Sequence, residues 1–90
     1  MRISLEISMY PLDQNYIPPI QSFIDALNEQ KTAATTVSTN GMSTQVFGPF
    51  EDVMQLYQQC VKIAMEQGSK MVFVSKLLSS DVSEYSVGHG

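Results

Sequence analysis

Tryptophan is absent from this chain of 90 residues, cysteine occurs once, and five basic residues stand against nine acidic ones. Each scarcity excludes something. Without Trp, the core must be built from Ile, Val, Leu, Met and Phe. The lone Cys60 can form no disulfide within the chain, which fits a reducing compartment and a cytoplasmic location. Arg2, Lys31, Lys62, Lys70 and Lys76 are scattered, and with a net charge of −4 they leave no basic stripe for nucleic acid. No apolar run approaches the ~20 residues that a membrane-spanning helix needs. The opening Met1 to Glu6 mixes polar with apolar residues, unlike a signal peptide. His89 is the single histidine and lies far along the chain from Cys60, so a metal site is not expected. A phosphate-cradling glycine loop, a Ser-His-Asp set and a usefully spaced carboxylate pair are all missing, and a catalyst is not expected either.

What is present is a regular alternation of patterns. Ile3, Leu5, Ile7 and Met9 point one way along a strand, while Ser4, Glu6, Ser8 and Tyr10 point the other. Pro11 ends that strand. Ile20, Phe23, Ile24 and Leu27 fall on one stripe of a helix that starts near Asn15 or Tyr16 and fades around Glu29 to Lys31. Pro18 and Pro19 suit its first turn, where backbone N–H groups have no partners. Thr and Val content predicts a second strand over Ala33 to Ser38, and a third over Ser43 to Phe47. Pro49, Glu51 and Asp52 open a second helix with Val53, Leu56, Tyr57, Cys60, Ile63 and Ala64 on its apolar face. Gly68 is expected to stop it in a left-handed cap. Met71 to Leu78 reads as a strand covered on much of both faces.

Between the central strands lies Thr39-Asn40-Gly41-Met42-Ser43-Thr44. Asn-Gly is a strong hairpin signal because both residues tolerate positive φ. The flanking hydroxyls exceed what a turn requires, so the segment reads either as a plain polar corner or as a turn that also meets a small polar ligand.

The order βαββαβ predicts an α+β, ferredoxin-like sandwich: an antiparallel four-stranded sheet with two helices on one face. Residues 1–78 form this single domain, and the Ser-rich residues 79–90 form a tail expected to be poorly ordered. Glu6, Ser8 and Tyr10 then face the open side. A bare sheet face and an apolar last strand are costly in so small a domain, which predicts a homo-oligomer, a dimer or tetramer.

Glu6 is a carboxylate in the middle of an apolar strand. It needs a partner such as Lys76 of another subunit, exposure to water, or a ligand with N–H donors. Tyr10 and Phe47 offer aromatic surface near the same sheet end, for a flat heterocycle or cation or for an oligomer interface. Met42 at the hairpin is a candidate contact. Cys60 reads as a small core residue.

Ser4-Leu5-Glu6-Ile7-Ser8-Met9-Tyr10-Pro11-Leu12 resembles the first strand of the YkoF-like thiamine-binding protein family. The hairpin Thr39 to Thr44, followed by Val46 and Gly48, resembles that family's most recognisable segment. The similarity spans Ile3 to about Leu77, and the residues after Lys76 match no pattern of the family. The resemblance implies the ferredoxin-like fold, association through sheets, and binding of thiamine or its hydroxymethyl-pyrimidine portion without catalysis. Thiamine would be a bound ligand and not a catalytic cofactor. It also implies a ligand set of Glu6, Ser8, Tyr10, Thr39, Asn40, Met42, Ser43, Thr44 and Phe47. Net acidity suits a cationic ligand, and without an Arg or Lys cluster the unphosphorylated form is preferred. The competing expectations are an interaction module that docks a protein partner through its sheet, and an acylphosphatase-type enzyme, for which Arg2 is a poor phosphate ligand.

Overall fold

In the computed structural model, which describes residues 1–68 and 70–84, six elements follow in the order β1 (Arg2–Pro11), α1 (Ile17–Gln30), β2 (Thr36–Thr39), β3 (Thr44–Pro49), α2 (Phe50–Gln67) and β4 (Met71–Leu78). The strands make one antiparallel sheet in the order β2-β3-β1-β4. Each helical crossover therefore skips a strand: β1 and β2 flank β3, and β3 and β4 flank β1. This is the ferredoxin-like plan.

The period-2 pattern of β1 sets the two faces. Ile3, Leu5 and Ile7 are buried with Phe23 and Leu27 of α1 and Val53, Leu56 and Cys60 of α2, and Val46 of β3 completes this core. Burial pushes the Cys60 thiol up from its ordinary value, so the side chain serves as a small apolar filler. Phe73 of β4 closes one end by packing its ring 5.1 Å from that of Phe23. Directly opposed residues of an antiparallel pair share a face. Ser4, Glu6, Ser8 and Tyr10 thus share the open face with Leu78, Lys76, Val74 and Val72. No helix among the described residues is long and apolar enough to cross a membrane.

Four local readings are corrected. The strand expected over Ala33 to Ser38 begins only at Thr36. The Thr35 hydroxyl accepts from the Thr32 amide and donates to the Thr32 carbonyl, and the Thr32 hydroxyl accepts from the Ala34 amide, which holds residues 32–35 in a turn. Gly68 caps α2 with φ −110° and ψ 177°, which is extended and not left-handed. The turn at Asn40-Gly41 uses no positive φ. It closes instead through the Asn40 side chain, whose Oδ1 accepts from the amides of Met42 (2.8 Å) and Ser43 (3.1 Å), while the Asn40 amide donates to the Ser43 carbonyl. Finally, β4 is an edge strand whose Val72, Val74 and Leu78 are about half exposed within the single chain, so its open face is uncovered here.

Of the expected tail, residues 79–84 are described. Ser4 Oγ donates to the Ser80 carbonyl (2.7 Å) and accepts from the Val82 amide (3.0 Å), and Arg2 Nε donates to Asp81 Oδ2 (2.8 Å). Bonds from the Ser83 hydroxyl and amide, and then the Arg2 guanidinium, hold the Asp81 carboxyl below the usual carboxylate range. This strap lies over the open face at Ser4. Residues 85–90, His89 among them, lie outside the described residues.

Candidate functional site

The strands β1 and β3 pair only as far as Ile7 opposite Thr44, whereas β1 continues beside β4 to Pro11 opposite Met71. From Ser8 to Pro11 one edge of a central strand therefore has no strand beside it. The hairpin turn faces that unpaired edge, and residues of α1 line the gap from the helix face. The result is a cleft of about 380 Å³, within the range of small-molecule sites.

Three elements line it. The end of β1 gives Ile7, Ser8, Met9, Tyr10 and Pro11. The turn gives Thr39 to Thr44. The loop after β1 and the start of α1 give Asp13, Tyr16, Ile20, Phe23 and Ile24. The floor is apolar and the rim is polar. Asp13 is the one charged residue among the lining residues, so the field in the cleft favours a cation over a phosphate.

Hydrogen bonding fixes the polarity of the turn. Because Asn40 Oδ1 accepts two backbone amides, the Asn40 Nδ2 group is left as a donor. The hydroxyls of Thr39 and Thr44 bond each other at 3.0 Å and brace β2 against β3. Ser43 Oγ donates to Glu6 Oε2 (2.8 Å) and accepts from Gln45 Nε2 (2.6 Å). Its proton is spent on Glu6, and what remains is an acceptor lone pair. The second carboxylate oxygen of Glu6 lies 3.5 Å from Lys76 Nζ of the same chain. That exposed pair contributes little stability.

Of the residues singled out in the sequence, Ser8, Tyr10, Thr39, Asn40, Met42, Ser43 and Thr44 all line the cleft. Glu6 and Phe47 do not; they sit on the open face of the sheet, Glu6 opposite Gln45 and Phe47 opposite Ser4. Glu6 reaches the cleft only through Ser43. The sequence reading missed the contribution of α1. Ile20 and Ile24 lie on the same apolar stripe as the buried Phe23 and Leu27, yet both are only half-buried because they face the cleft. Tyr16, an exposed ring just ahead of a Pro-Pro helix start, was the available signal. Among the described residues no group of three His, Cys, Asp or Glu side chains could hold a metal ion.

The sequence model of the YKOF-related family matches residues 2–81 and so takes in the cleft and the first part of the strap. The chain belongs to the YKOF-related family. Solved structures agree on the fold of this member. The Streptococcus pneumoniae protein SP2199 is 20% identical, with a TM-score of 0.80 over 91% of this chain and 90% of its own. A protein of Methanocaldococcus jannaschii, MJ1052, is 16% identical, with a TM-score of 0.73 over 98% of this chain and 90% of its own. The Thermotoga maritima protein TM0486, provisionally assigned to thiamine biosynthesis or salvage, is 13% identical, with a TM-score of 0.76 over 89% of this chain and 85% of its own. At these identities the likeness carries the fold alone. No curated protein matches the sequence significantly.

Proposed function

We propose that this YKOF-related chain binds thiamine, or its hydroxymethyl-pyrimidine portion, in the cleft between the end of β1, the hairpin turn and the start of α1. It acts as a carrier, buffer or sensor and not as a catalyst. The observation that carries the reading is the cleft lining: an apolar floor, a polar rim whose Asn40 amide donates while Ser43 oxygen accepts, and an acidic residue, Asp13, with no Lys or Arg. An aminopyrimidine presents a ring-nitrogen acceptor beside an amino donor, which complements that rim. Tyr10, Tyr16 and Met42 supply surface for flat rings and for a cationic thiazolium. Family membership and the thiamine assignment of TM0486 point the same way.

The protein is proposed to assemble as a homo-oligomer, because Tyr10, Val72, Val74 and Leu78 are about half exposed together on the open face. The same surface favours the second reading, a module that docks a different protein through its sheet. Thermal melting separates the two. A ligand that binds only the native state, at 100 times its dissociation constant, adds about 2.7 kcal/mol. For a domain of this size that raises the melting temperature by roughly 10 °C or more. Thiamine is expected to give this shift, and thiamine diphosphate a smaller one. An unchanged melt with millimolar thiamine leaves the docking module as the better reading.

A further inference from the structure

Past the Ile7–Thr44 pair no strand ladder ties the hairpin turn to β1. The turn is closed on itself by Asn40, and the Thr39–Thr44 bond braces it to β2 and β3. Neither interaction fixes its distance from the exposed edge of β1, and that distance sets the width of the cleft. One side-chain bond crosses from the turn to β1: Ser43 Oγ to Glu6 Oε2 at 2.8 Å, with Gln45 Nε2 on the same oxygen of Ser43 at 2.6 Å. Gln45 stands directly opposite Glu6 in the ladder, so the three residues anchor the turn one pair before the strands part.

We propose that Glu6 is a positioning residue that acts on the cleft through Ser43. Its carboxylate draws the turn toward β1, and it accepts the Ser43 O–H hydrogen bond so that the hydroxyl oxygen is left as an acceptor. This rests on the cleft being the ligand site, but its mechanical half holds without any ligand. A charge-assisted bond of this kind supports roughly a tenfold effect when removed.

The test has two arms, both in the full chain. In the first, amide hydrogen exchange is followed at Asn40 and Met42, whose N–H groups bond inside the turn. Glu6→Ala and Ser43→Ala should each speed exchange about tenfold, and the double variant no further. Glu6→Gln keeps an oxygen acceptor without the charge and should fall between wild type and Glu6→Ala, which separates loss of the bond from loss of the charge. Wild-type exchange in Glu6→Ala overturns the proposal. In the second arm, calorimetry with thiamine should show about tenfold weaker binding in Glu6→Ala, and no added loss when Glu6→Ala is placed in a Ser43→Ala background. A loss that persists in that background means that Glu6 touches the ligand itself, and the positioning role falls. If wild-type protein fails to bind thiamine, the ligand reading falls and the exchange arm still decides the role of Glu6.

Discussion

Alanine at Gly48 is expected to cost roughly 3 kcal/mol of stability, from backbone strain and overpacking together. Gly48 has a φ of +154°, the one positive value recorded for the described residues, and it is buried where β3 passes the turn before β2. A Cβ there would lie 2.8 Å from the Ala34 carbonyl oxygen and 3.1 Å from Thr35 Cγ2. The first of these is backbone, held by the threonine-bonded turn at residues 32–35, and it has no rotamer in which to retreat. The expected readout is a fall in melting temperature of roughly 10–20 °C. Gly41→Ala is the control: a Cβ at Gly41 meets nothing within 4 Å, and φ there is not positive. Equal melting of the Gly48 and Gly41 variants would show that the Ala34 carbonyl is free to move.

Leu27→Ala is the second large effect. Leu27 is 0% exposed and sits among α1, α2 and the sheet with Phe23, Val53 and Cys60. Truncation removes transfer energy and leaves a cavity that a rigid sheet cannot collapse, for a loss of about 3–4 kcal/mol. Urea denaturation should show a lower midpoint at an unchanged slope, because the surface exposed on unfolding barely changes. Ile24→Ala, one helical turn away on the half-buried cleft side, should lose distinctly less. A Leu27 loss no greater than that of Ile24 would mean that the helix pair repacks, and that the cleft wall is as rigid as the core.

The two glycines show how far sequence reasoning reached. Gly41, in an Asn-Gly pair, carried the hairpin signal, and a hairpin is there. The signal worked for a different reason, since the Asn40 side chain closes the turn and neither residue needs positive φ. Gly48 carried no local signal, because its constraint comes from a carbonyl fourteen positions earlier in the chain (48 against 34). Period-2 alternation placed β1 and its faces correctly, since that pattern is local and β1 is central. It misjudged β4: a run of apolar residues looks the same whether a strand is central and covered or at an edge and bare. The site divides along the same line. The end of β1 and the turn were legible because their polar and aromatic residues had no evident structural duty. Tyr16, Ile20 and Ile24 were not, because an apolar stripe on a helix does not reveal which of its members face the sheet and which face a gap beside it.

Thiamine titration followed by two-dimensional amide NMR is the most direct measurement of the central claim. The account predicts chemical-shift changes concentrated at Ser8 to Leu12, Tyr16 and Thr39 to Thr44, with little change in the second half of α2. Shifts centred instead on the slot between the helices, around Pro19, Cys60 and Ile63, or no shifts at millimolar thiamine, would contradict it.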